Sequence, residues 1–248
     1  MAGWVANYQT VALTNDITPP VSSLSYTGTW QTQSFTAAFQ DSDASGIKHK
    51  FYHVAARASA TTPFLSNQPM GFFEDEFNGN SGLWTNQSGN FQAMNGSFIL
   101  NDATQNNSNA YAQVSQSSQH TYLYTWKQRI TSSNANQRAG MHFFCSDPTL
   151  PNRGNSYFVY FREETNKVQL YKVLNDAFTL VKEDSVNVLV NQWDQVYVTY
   201  SPQSGLIQVY LNALHVSSWT DVNPLQQGTA ISLRSGACTV TFDEVYVY

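Results

Sequence analysis

The chain has 248 residues, of which 42% are hydrophobic, 14% aromatic and only 12% charged, with a formal net charge of −5. This aromatic content excludes a disordered chain, which lacks the apolar area to offset ordering entropy, and the absence of a heptad excludes a long coiled coil. Twelve Lys and Arg against 17 Asp and Glu argue against an electrostatic nucleic-acid binder.

Polarity comes instead from 26 Ser, 22 Thr, 22 Asn and 20 Gln. With little Lys and Glu, this resembles the composition of secreted β proteins, so an extracellular or cell-surface location is expected. No run of 18 apolar residues is present, so membrane insertion is not expected. The opening MAGWVANYQT has neither a basic n-region nor an apolar h-region, and the chain reads as a mature protein or an excised fragment.

In chain order, a block at 1–71 opens with Trp4, Val5, Tyr8, Val11 and Leu13. A hairpin-like pair follows, Ser34–Phe39 and Lys48–Val54 around the acidic turn DSDASG (41–46), and 59–69 has linker composition. Three to five strands in so short a block suggest an immunoglobulin- or fibronectin-like module. From 72 to 248 the apolar period is two: Tyr122, Tyr124 and Trp126; Val196, Val198 and Tyr200; Ile207, Val209 and Leu211. Such runs, cut by Asn, Gly, Ser and Pro clusters, read as half-buried strands. The predicted class is all-β, with a two-sheet jelly-roll sandwich at 72–248. FFEDEF (72–77) and VTFDEVYVY (240–248) are alike, which predicts that the first and last strands pair. The row Tyr122, Tyr124 and Trp126 is expected in the core rather than on a surface. Cys145 and Cys238 sit in strand-like contexts, and the pair reads either as one bridge or as two buried thiols.

The order F-x-D-x-F with Trp84, NGSFIL (95–100), RAGMHFF (138–144), GNSYFVYFR (154–162), VQLYKV (168–173), QWDQVYVTY (192–200), GLIQVYLN (205–212) and terminal FDEVYVY (242–248) resembles the concanavalin A-like, laminin G-type jelly roll of secreted bacterial proteins. That resemblance spans 72–248, and its members bind glycans, hydrolyse them or support other domains. It implies a structural Ca²⁺ at the seam of the first and last strands, with Glu74, Asp75, Glu76 and Asp243 as ligands. It also brings hydrolysis into view, which requires paired carboxylates. The Glu-x-Asp-x-x-Glu string of laminarinase-type hydrolases is missing, and Glu163–Glu164 and Asp243–Glu244 are adjacent pairs whose side chains point to opposite faces. No zinc spacing, nucleophile elbow or phosphate-binding glycine loop occurs.

Strand alternation predicts one polar–aromatic face carrying Arg138, His142 and Phe144, then Phe158, Tyr160 and Arg162, then Gln169, Tyr171 and Val173. The opposite face (Met141, Phe143, Cys145, Tyr157, Val159, Phe161, Val168, Leu170) is apolar enough for the core. Aromatics stack on sugar C–H faces and planar polar groups bond sugar hydroxyls. Arg138, His142, Tyr160, Arg162 and Tyr171 are therefore the candidate carbohydrate-binding residues. The reading is a non-catalytic, lectin-like module binding a polysaccharide or glycoprotein glycan. The alternative is a structural or adhesive subunit of a surface assembly acting through other subunits or flanking domains, with a glycoside hydrolase third.

Overall fold

The computed structural model describes residues 21–24, 38–43, 73–79, 82–101, 107–131 and 136–248. The chain divides into two units, Met1–Phe64 and Leu65–Tyr248. In the first, β1 (Val21–Leu24) pairs antiparallel with β2 (Phe39–Ser42). Strand β2 therefore runs into the segment read as an acidic turn. The sticky opening at 1–14, the strand expected at 48–54 and the linker at 59–69 lie outside the described residues.

The second unit contains β3 (Phe73–Asp75), β4 (Trp84–Ser88), β5 (Phe91–Met94), β6 (Ser97–Asn101), β7 (Ser108–Ser117), β8 (Tyr122–Ile130), β9 (Arg138–Cys145), β10 (Ser156–Arg162), β11 (Lys167–Leu174), β12 (Ala177–Ser185), β13 (Asp194–Ser201), β14 (Leu206–Leu211), β15 (Leu214–Thr220), β16 (Gln227–Gly236) and β17 (Thr239–Val247). One sheet runs β12-β11-β10-β9-β16-β7-β4, and the other β15-β14-β13-β8-β17-β6-β5 with β3 added on β17. No helix occurs among the described residues. This is the expected two-sheet jelly-roll sandwich. The first and last strands pair as their likeness suggested, through Phe73↔Val247 and Val245↔Asp75.

The core lies between the sheets. Tyr122, Tyr124, Trp126, Val196, Val198 and Tyr200 enter it from one side, and Met141, Phe143, Tyr157, Val159, Phe161, Val168 and Leu170 from the other. Alternation thus assigns these inner-face residues correctly but fails at Phe144. Phe144 has φ 54° and turns into the core, with its ring 4.8 Å from Tyr200 and 5.4 Å from Tyr122. The β9–β16 register shifts beside it, and a bulge of this kind re-aims a side chain. Buried Gln116 satisfies the irregularity. Its carbonyl oxygen accepts from the Phe144 N–H and the Tyr124 hydroxyl, while its amide donates to Val114 and Ala230 carbonyls.

Both cysteines are buried free thiols. Cys238 Sγ donates to the Arg138 carbonyl at the start of β9, whereas Cys145 ends the same strand. Seven strand residues separate them by about 20 Å, well beyond disulfide reach. Burial pushes Cys145 up to about 12 and Cys238 up to about 11, so both stay protonated.

A buried polar cluster fixes the loop before β16. The Tyr157 hydroxyl donates to Asp221 Oδ2 (2.7 Å) and accepts from the Leu225 N–H (2.9 Å). Tyr200 donates to the Leu225 carbonyl, and Lys172 Nζ lies 2.6 Å from Asp221. Tyr157→Phe keeps the ring but strands a backbone N–H and a carboxylate oxygen. We expect a loss of ~2 kcal/mol, read as a fall in melting temperature of about 4–8 °C for a unit of this size. An unchanged melting temperature would mean that solvent already serves these groups.

Candidate functional site

The outer face of the seven-stranded sheet carries a pocket of about 180 Å³ lined by Asn107, Arg138, Phe158, Tyr160, Arg162, Tyr171, Phe178 and Arg234. Register builds it. Arg234, Gly140, Tyr160 and Gln169 lie in one cross-strand row. Ser232, His142, Phe158 and Tyr171 form the next, and Arg138 pairs with Arg162 in a third. Gly140 leaves open the space between Arg234 and Tyr160. Its backbone is also in close approach, since a Cβ there would meet the Val159 carbonyl oxygen at 1.9 Å.

The floor is aromatic. Phe158 lies against Tyr160 (4.4 Å), Tyr171 (5.9 Å) and Phe178 (5.8 Å). The cations are held over it. Arg138 and Arg162 sit 5.8 and 5.9 Å from the Tyr160 ring, and Arg234 sits 5.0 Å from the Phe178 ring. Arg162 Nε donates to Gln169 Oε1 (2.6 Å) and Nη1 to Asn136 Oδ1 (2.8 Å). Tyr171 donates to the same Gln169 oxygen (2.6 Å), and the Gln169 amide donates to Glu183. Arg234 is 5% exposed and donates to Asn107 Oδ1 (2.6 Å), Asn152 Oδ1 (3.3 Å) and the Pro151 carbonyl (3.4 Å).

Tyr160 and Arg234 lie beside each other at the pocket and interact directly, and neither the Tyr160 hydroxyl nor Arg234 Nε has a well-aligned hydrogen-bond partner. Tyr160 is 4% exposed, and burial pushes its phenol up to about 12 despite the neighbouring guanidiniums. Burial, then the repulsion of Arg138, lowers Arg234 from the usual guanidinium range. Buried polar groups without partners are uncommon in folded proteins and mark places where a ligand or water completes the bonding.

Of the five predicted residues, Arg138, Tyr160, Arg162 and Tyr171 line this pocket together. His142 shares the face but lies beneath it. It is fully buried, stacked 3.9 Å under Phe158, with Nδ1 3.0 Å from Ser156 Oγ. Sequence reasoning missed Arg234, Phe178 and Asn107. Ile231 and Leu233 point into the core, so alternation alone places Arg234 on the outer face, but only the tertiary register brings β16 beside β9.

The seam carboxylates do not converge. Among the described residues no group of three or more His, Cys, Asp or Glu side chains is placed to hold a metal ion. Asp75 turns inward and accepts from the Phe77 N–H and Trp84 Nε1. Glu76 accepts from the Tyr246 hydroxyl and Asn78. Asp243 sits at the β17 bulge and accepts from the Glu244 N–H. Glu74 faces away from Asp75, because consecutive strand residues point to opposite sides. The arrangement does not fit the calcium expected at Glu74, Asp75, Glu76 and Asp243, because calcium needs six to eight oxygens turned to one point.

The sequence matches no protein-family model and no curated protein. Solved structures do share the fold. A carbohydrate-binding module from Bacillus subtilis is 18% identical, with a TM-score of 0.58 over 75% of this chain and 99% of its own. A lectin from Bauhinia forficata in complex with GalNAc is 15% identical (TM-score 0.52; 71% and 96%). A Bacillus licheniformis β-glucanase is also 15% identical (TM-score 0.51; 73% and 97%). At these identities the likeness establishes a concanavalin A-like jelly-roll sandwich and leaves the chemistry to the residues.

Two outcomes test this geometry. Gly140→Ala should cost about 3 kcal/mol, visible in chemical denaturation, because the added carbon meets backbone rather than a movable side chain. His142 is held well below the usual imidazole range by burial, then by Arg234 and Arg153. The native ring stays neutral while the unfolded chain takes up a proton near 6.5. Stability should therefore fall as pH drops below about 6.5, by at most about 1.4 kcal/mol per pH unit from this group. His142→Phe should flatten that slope between pH 7.5 and 5.5; equal slopes would refute the assignment.

Proposed function

We propose that unit 65–248 is a non-catalytic, extracellular glycan-binding module of a secreted or cell-surface protein, acting through the outer face of its seven-stranded sheet. The observation that carries the reading is the pocket itself. An aromatic floor (Phe158, Tyr160, Tyr171, Phe178) meets fixed guanidiniums. Its volume suits a single sugar ring rather than a drug-sized ligand. Tyr171 and half-exposed Phe178 offer faces for sugar C–H groups. Arg138, Arg162 and the Tyr160 hydroxyl offer hydrogen bonds to sugar oxygens.

The fold supports this reading, since carbohydrate-binding modules and lectins are built on it. The same fold carries a β-glucanase, but glycoside hydrolysis needs two carboxylates roughly 5–10 Å apart across the sugar. The described lining contains none. Acids on the adjoining strands and turns hold protein partners: Glu183 with Gln169, Glu163 with Gln137, Glu164 with the Asn136 N–H, and Asp176 with the N–H groups of Asn152 and Gly154.

A panel of soluble polysaccharides in affinity electrophoresis tests the reading. At least one should retard the protein without releasing reducing ends. Tyr171→Ala and Phe178→Ala should each weaken that retardation about tenfold, equivalent to about 1.4 kcal/mol, at nearly unchanged melting temperature. Reducing-end release, or retardation indifferent to both variants, would overturn it.

A further inference from the structure

We infer that the pocket recognises an acidic sugar, with a carboxylate or sulfate group of the glycan seated among Arg138, Arg162 and Arg234. The inference rests on the glycan-binding reading and adds the chemical class of the ligand.

The charge distribution is the first argument. The chain carries a net charge of −5 and six arginines, yet three of the six line this one pocket, and the described lining has no carboxylate. Neutral sugars do not require three cations on a surface of this size. Like charges gathered this closely repel unless an anion joins them.

The bonding of Arg234 is the second argument. It is nearly fully buried, and its donors reach only neutral acceptors, namely Asn107, Asn152 and the Pro151 carbonyl. Nε has no well-aligned acceptor, and the Tyr160 hydroxyl that interacts with this side chain carries no charge. Asp176 acts on it only at longer range, and its Oδ1 is already taken by the N–H groups of Asn152 and Gly154. A desolvated guanidinium without a counter-charge is costly, and an incoming carboxylate or sulfate supplies that charge. Arg162 likewise holds only neutral partners, Gln169 and Asn136, which fix its fork while leaving Nη2 for a ligand. Arginine rather than lysine suits planar, two-point recognition of such anions.

The aromatic floor then defines what bears the charge. Phe158, Tyr171 and Phe178 would hold the apolar face of the ring while the guanidiniums hold its acidic substituent. A free inorganic anion would use the second set of contacts and leave the first idle.

Isothermal titration of the intact chain tests the inference with four probes: polygalacturonate for uronates, dextran sulfate for sulfate esters, and dextran and galactan as neutral polymers. At least one acidic polymer should bind ten or more times more tightly than either neutral one, and its affinity should fall with added salt. Arg162→Gln should reduce that affinity at least tenfold, while Lys182→Gln, on edge strand β12, should not change it. Arg138→Gln provides a second variant should Arg162→Gln unfold. Binding of polygalacturonate alone assigns the carboxylate, binding of dextran sulfate alone assigns the sulfate ester, and binding of both assigns their shared anionic chemistry. Neutral polymers bound as well as acidic ones, with loss in Tyr171→Ala but not in Arg162→Gln, would overturn the acidic ligand and keep the glycan-binding reading. Acidic polymers bound equally by wild type and Arg162→Gln would overturn the site. Binding of none of the four would sink the inference, and the broader polysaccharide panel would then decide the parent reading separately.

Discussion

The last two strands are central to both sheets, and the rest of the unit depends on that. Strand β16 lies between β9 and β7 in one sheet, and β17 joins β8, β6 and β3 in the other. The chain passes from one layer to the other at Ala237 (φ 53°). Neither sheet is complete until these final residues arrive. Ser232 Oγ bonds the Ala110 carbonyl, 122 positions earlier in the chain. Such long loop closures precede any gain from the contacts they permit, so this topology implies slow, cooperative folding rather than assembly by local hairpins. The same placement explains the polar cluster at Tyr157, Lys172 and Asp221. It holds the loop that feeds β16, and so sets the register of a strand that no local turn specifies.

The pocket is a consequence of that register. Arg234 arrives on β16 opposite Gly140, a residue whose missing side chain leaves room for the guanidinium beside Tyr160. A shift of one residue would send Arg234 into the core and Leu233 to the surface. Supporting side chains then freeze the geometry. His142 stacked on Phe158, Gln169 bonded to Arg162 and Tyr171, and Asn107 bonded to Arg234 hold rings and guanidiniums in place. A rigid strand-borne site loses little entropy when a ligand binds.

Alternation made most of this visible from the chain alone. Strands at 138–145, 156–162 and 167–174 sort cleanly into inner and outer faces, which is why Arg138, Tyr160, Arg162 and Tyr171 could be grouped before any coordinates. The period of two says nothing about depth, however, so His142 was grouped with residues that in fact cover it. It also fails at a bulge, as Phe144 demonstrates. Arg234 and Phe178 were illegible for a different reason. Arg234 enters the face on a strand placed by long-range pairing, and Phe178 reaches it from edge strand β12, whose hairpin with β11 slips at Leu170 and Tyr171. The seam acids mislead in the opposite sense. Strand pairing was correctly inferred from similar ends, but alternation that groups residues two apart also separates neighbouring carboxylates, and hydrogen bonds from Trp84, Tyr246 and backbone amides explain their presence.

The polar bonding of the sandwich differs between its core and its outer face. Gln116, buried at the β9 bulge, has both its oxygen and its nitrogen in hydrogen bonds. Asp221 and Tyr157 are likewise met by protein partners. On the outer face, by contrast, Tyr160 and Arg234 lie buried beside one another without well-aligned partners, and the hydrogen bonds of Arg162 and Arg234 go to neutral groups. A carboxylate placed at position 169 would neutralise part of the cluster. The chain has Gln169 there instead, which holds Arg162 in position without cancelling its charge. Unspent charge on a preformed aromatic floor is stability withheld from the free protein, and it is recovered only when a ligand brings the complementary group.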